Sequence, residues 1–152
     1  MGISKHISNK ESVYSRTAQR LDIDNTPTQE HKENMIKLAE NVFEPLRSYA
    51  NGPIKINSFY RSPELNKAIG GSSKSQHCNG QAIDIDDTFG VLTNAEMYEF
   101  VKKHLDFDQM IWEFGDEDNP NWVHVSYVSE NENRNRCLQA YKENGRTKYK
   151  VI

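Results

Sequence analysis

Cysteine is scarce in this chain of 152 residues: Cys78 and Cys137 stand far apart, and they make neither a disulfide framework nor a Cys-x-x-Cys metal motif. Two reduced thiols in a protein made in the cytoplasm are the expectation. Long apolar runs are missing as well. With 36% hydrophobic residues and a mean hydropathy of -0.85, no stretch approaches a membrane span, and the first residues hold no apolar segment of the secretory kind. Met1-Gly2 would suit myristoylation, but His6 stands where that motif carries Ser or Thr. Nor is there an excess of one charge. The formal net charge is -3 with the signs interspersed, which argues against nucleic acid as a partner. No internal repeat or linker divides the sequence. What is left is a very polar chain of single-domain length, long enough to bury a core, and a monomer is expected.

Residues 1–25 are mixed and polar, with Val13, Tyr14 and Leu21 as the evident anchors, and read as a loosely packed arm or short helix. Residues 26–152 read as the domain proper. Thr26-Pro27-Thr28-Gln29 supplies a cap, a proline at the first helical position and a glutamine three residues after the cap. Met35, Leu38, Ala39, Val42, Phe43, Leu46 and Tyr49 then follow at helical spacing, with Pro45 predicting a kink or an end near Glu44. A strand is predicted over Ile54 to Tyr60 and a short helix after Ser62-Pro63. Thr93-Asn94-Ala95-Glu96 is a capping box whose helix turns Met97, Phe100, Val101, His104 and Leu105 inward. Strands follow at Met110 to Phe114 and Trp122 to Val128. Ser129 to Arg136 reads as an exposed charged tail, and Asn144-Gly145 as the turn of a small terminal hairpin. The predicted class is α+β, a mainly antiparallel sheet with helices on one side and a site on its open face.

Chemistry concentrates in Ser75-Gln76-His77-Cys78-Asn79-Gly80-Gln81-Ala82-Ile83-Asp84-Ile85-Asp86. If its second half is a strand, Ile83 and Ile85 enter the core while Ala82, Asp84 and Asp86 share the other face, beside whatever His77 presents. In Asn121-Trp122-Val123-His124-Val125-Ser126-Tyr127, alternation puts His124 opposite Val123 and Val125, so a second strand offers a third ligand. Three ligands from His and Asp with one open position is the make-up of a catalytic zinc centre. Each residue taken singly is more simply a satisfied polar group. Adjacent side chains in an extended segment point apart, so Cys78 is left out of the ligand set.

The combination Ser-x-His-x6-Asp followed by Trp-Val-His-Val-Ser resembles the M15 zinc peptidases, the D-Ala-D-Ala carboxypeptidase and phage endolysin family. Ser58-Phe59-Tyr60-Arg61-Ser62-Pro63-Glu64-Leu65-Asn66 and Phe107-Asp108-Gln109-Met110-Ile111-Trp112-Glu113 match two further blocks of that family in its order, from about Thr26 to Tyr127. The resemblance implies a hedgehog/DD-peptidase fold, one zinc ion held by His77, Asp84 and His124, and the stem peptide of peptidoglycan as substrate. It implies Arg61 as a substrate clamp and transition-state stabiliser, and Ser75 as a residue that holds the loop or meets substrate. It also implies a phage or prophage enzyme that reaches the cell wall after release.

The sequence departs from part of the family at Asn121, where a glutamate stands three residues before the last histidine; an amide cannot serve as general base. Glu113 is the candidate, because it alternates with Gln109 and Ile111 on one face of its strand, and it reaches the site only if the hairpin register sets it opposite Trp122 or His124. Asp116, Glu117 and Asp118 are the alternatives, each more simply a solvated loop residue. Gln109 and Ser126 are expected to orient His124 or contact substrate, and Trp122 to wall the cleft. Either D-Ala-D-Ala carboxypeptidase or L-Ala-D-Glu endopeptidase specificity fits. The rival of another class is a zinc-stabilised cell-wall-binding or phage structural module without catalysis.

Overall fold

The structure is a computed structural model that describes residues 2–152. It holds one six-stranded sheet in the order β1-β2-β4-β3-β5-β6, formed by β1 (Lys55–Ser58), β2 (Ala82–Asp86), β3 (Gln109–Glu113), β4 (Trp122–Ser126), β5 (Arg136–Glu143) and β6 (Arg146–Val151). Alternation along the inner strands decides which face meets the helices. Ile83, Ile85, Val123, Val125 and Met110 turn to one face, and there they join Met35, Leu38, Val42, Phe43 and Leu46 from the long helical segment and Met97, Tyr98 and Val101 from α6 (Asn94–His104). The fold is thus a mixed α+β arrangement. Among the described residues no helix is long and apolar enough to cross a membrane.

Local chemistry explains most element boundaries. The Thr93 capping box closes as predicted, with its hydroxyl accepting from Glu96 and Glu96 accepting in return. For α3 (Gln29–Leu38) the cap lies two residues later than predicted: Thr28 accepts from His31 N–H, and the His31 ring takes the place of the glutamine. Pro45 neither ends nor breaks this helix. The chain passes through a π turn at Ala39–Phe43 and continues as α4 (Glu44–Ala50), placing the proline in the first turn of α4, where its missing N–H costs little.

Four further predictions change. The N-terminal residues are packed: Ile3 and Ile7 are buried in the main core and the predicted anchor Val13 packs against it, while the other two, Tyr14 and Leu21, are exposed. Glu44 fixes this segment by accepting from the Ser4 hydroxyl and from the His6 backbone and ring, after which α1 (Asn9–Val13) and α2 (Arg16–Leu21) lead to α3. The terminal hairpin turns at Asn144-Gly145, both at positive φ, but it extends the sheet, because β5 pairs with β3 in parallel. Finally, the segment before β5 is a pinned crossover. Asp108, itself buried, accepts two hydrogen bonds from the Arg134 guanidinium, and Asn135 pairs with Phe107 through backbone and side chain. His104, predicted to face inward, is exposed beside Phe100.

Candidate active site

The opposite face of the sheet gathers the polar residues. On β2 and β4 the register sets Asp84 directly against His124, so strand alternation alone brings a carboxylate and an imidazole side by side, at 2.9 Å. His77 arrives from outside the sheet, on a single 3-10 turn (Gln76–Asn79), not the extended segment assumed for Cys78. Ser75 caps that turn by accepting from His77 N–H, and Gly80 ends it at φ +74. A Cβ there would stand 2.4 Å from the His31 carbonyl oxygen, so only glycine lets the turn sit against α3. The loop from Phe59 to Arg61 closes the arrangement: His77 Nδ1 donates to the Phe59 carbonyl at 2.7 Å, and Arg61 N–H donates to the His77 carbonyl.

That first bond fixes the tautomer. With its proton on Nδ1, fully buried His77 turns a bare nitrogen lone pair, Nε2, towards Asp84 Oδ2 at 3.3 Å, with no hydrogen bond made. Two lone pairs facing each other in a buried site call for a cation between them. One ligand atom from each of His77, Asp84 and His124 lies within 4.8 Å of the others, and the donor set of two imidazoles and one carboxylate suits zinc. Burial lowers the His77 pKa, so this imidazole stays neutral and able to ligate. Burial would raise Asp84, but the two imidazoles outweigh it and hold this carboxyl well below the usual range.

Glu113 stands on the same face, and the β3–β4 register sets it opposite Trp122, the condition the sequence imposed on it. Its carboxyl is buried, and burial pushes its pKa up to about 7; the Asp84 charge adds to this, while His124, a hydrogen bond from Trp122 and Arg61 pull it down. Asp116, Glu117 and Asp118 are exposed, and Asp116 accepts from the backbone of Asp118 and Asn119 to shape their turn. Arg61 is partly buried, with Nε out of contact with any acceptor, and burial lowers its pKa, an effect that the charges of Asp84, Cys78 and Glu113 offset only in part. It borders a cleft of about 730 Å³ that runs past Ser58, the residue opposite Asp84, to Arg16 and Lys55.

Ser126 is fully buried, and its hydroxyl accepts from Gln109 N–H and donates to the Gln109 carbonyl, bracing β3 against β4. The Gln109 side chain lies half-buried at the end of the same face. Cys78 is half-buried beside Arg61, outside the cluster of ligating atoms. The Phe59 carbonyl that orients His77 has no signature in the sequence, since a backbone oxygen leaves none.

No curated protein matches the chain. The sequence profile described as Peptidase M15, by contrast, matches residues 5–126, most of the chain and all of the elements that carry His77, Asp84, Glu113 and His124 into one place, and the chain belongs to the Peptidase M15 family.

Proposed function

We propose that this chain is a zinc peptidase of the hedgehog/DD-peptidase type that hydrolyses the peptide part of peptidoglycan, with one zinc ion held by His77, Asp84 and His124. The observation that carries the reading is the bare His77 Nε2 facing Asp84 in a buried site, with a buried carboxyl, Glu113, on the same face. Zinc supplies Lewis acidity, which makes hydroxide available near neutral pH and polarises a carbonyl. Glu113 is the general base: as carboxylate it takes the proton of the attacking water, and as acid it returns that proton to the leaving amine. A pKa near 7 suits both halves of that task at neutral pH. Arg61, whose Nε has no acceptor, donates from its guanidinium to a substrate carboxylate or to the carbonyl oxygen as charge develops on it. Ser75 holds the His77 turn, and Gln109 contacts substrate at the end of the face.

The test is mass spectrometry of fragments released from intact peptidoglycan by the metal-loaded protein, with and without a chelator. Chelator-sensitive release of single D-alanines identifies a carboxypeptidase, and new amino groups on D-Glu identify an L-Ala-D-Glu endopeptidase. No fragment from several wall types, with zinc confirmed on the protein, would sink the peptidase reading in favour of a binding module.

A further inference from the structure

The family profile ends at residue 126, yet the sheet does not. Two registers read in succession carry the site onto the last strand: Glu113 pairs with Ala140, and Ala140 pairs with Tyr149. Residues directly opposite one another share a face, so Tyr149 stands in the same row as Glu113 and Trp122. Strands lie about 4.8 Å apart, which puts the Tyr149 Cα roughly 10 Å from that of Glu113 and within the reach of a tyrosine side chain. Ala140 stands between them in that row, fully buried and packed with Ile111, Leu138 and Phe114. Neighbouring Lys148 and Lys150 take the other face, where Lys150 Nζ lies over the Tyr141 ring. The phenol feels the site directly: burial raises its pKa, and the negative charges of Glu113 and then Asp84 raise it further. It therefore stays a protonated donor at neutral pH, and its ring is half-exposed where a ligand can reach it.

We propose that Tyr149, delivered by the terminal hairpin, is a substrate-contacting residue of this site that donates its phenolic O–H to the peptide oxygen on the flank away from Arg61. The proposal rests on the peptidase reading. A peptide lying across the metal face then has a donor on each side: Arg61 from the β1 end and Tyr149 from the β6 end. The donor on the second flank comes from a segment outside the span that the family profile matches.

Tyr149→Phe removes the hydroxyl alone and tests this on the full chain. The expected result is a fall in kcat/KM of roughly tenfold to a hundredfold on a stem-peptide substrate. A parallel loss of affinity for a dipeptide phosphinate, which mimics the tetrahedral species, is expected as well. Zinc stoichiometry and melting temperature should match the parent, and Tyr141→Phe on the opposite face should keep parent values. If the parent cleaves and Tyr149→Phe cleaves and binds the phosphinate equally well, the assignment of Tyr149 is overturned while the peptidase reading stands. If the zinc-loaded parent neither cleaves stem peptides nor binds the phosphinate, both fall together.

Discussion

At the scale of single residues, Glu113 shows how a site works against the stability of its own scaffold. Its pKa rises from the ordinary 4.5 to about 7 because burial penalises the charge. A carboxyl whose folded pKa lies above its unfolded one costs stability as pH climbs from the lower value through the higher. Glutamine keeps the shape without the charge. In metal-free protein, Glu113→Gln should therefore be more stable than the parent by on the order of 2–3 kcal/mol at pH 8, with the gap closing near pH 4. Urea unfolding at the two pH values measures this, and a gap that does not change with pH would refute the assigned shift. The same variant should keep zinc while losing hydrolysis by a hundredfold or more, the usual scale for a lost acid–base group.

At the scale of elements, alternation told most of the story. The period of two in Ala82–Asp86 and Trp122–Ser126 made it possible to say from sequence that Asp84 and His124 leave the core side, and the structure pairs them. Capping chemistry likewise foretold the starts of α5 (Pro63–Ala68) and α6. What could not be read was pairing between distant strands. Nothing local in Arg136–Glu143 says that it runs parallel to β3, because the pairing is fixed by the crossover that precedes it. That crossover looked like a solvated tail until Asp108 and Arg134 were seen to pin it. The hydrogen bonds from Arg134, more than any other influence, lower the Asp108 pKa, so this carboxylate stabilises the fold above its unfolded pKa, and the gain is lost as pH falls through the depressed folded value. Arg134→Met should cost about 1–2 kcal/mol at pH 7, discounted for the exposed arginine, and the deficit should fade in acid. Thermal melts across pH check this, and an undiminished deficit at pH 2 would count against the ion pair as its source.

At the scale of the whole molecule, the distribution of charge matters more than its sum. The net charge is -3, yet the charged residues lining the cleft beside Arg61 are Arg16, Lys55 and Arg61 itself, all cationic. That cationic flank favours an anionic substrate along one direction of approach to the site. Peptidoglycan stem peptides carry free carboxylates, so the peptidase reading sets the carboxylate-bearing part of the substrate against this flank. Screening over about 10 Å at 0.1 M salt would weaken such guidance, since Arg16 is exposed. Reversing Arg16 and Lys55 together to glutamate should raise KM for an acidic stem peptide by roughly tenfold at low salt, leave kcat nearly unchanged, and lose most of that effect at 0.5 M salt. A stem peptide with its carboxylates amidated should respond far less to the same reversal. Equal penalties on the acidic and the amidated peptide would mean that the cleft is damaged in shape, and would remove charge from the account of how substrate reaches His77, Asp84 and His124.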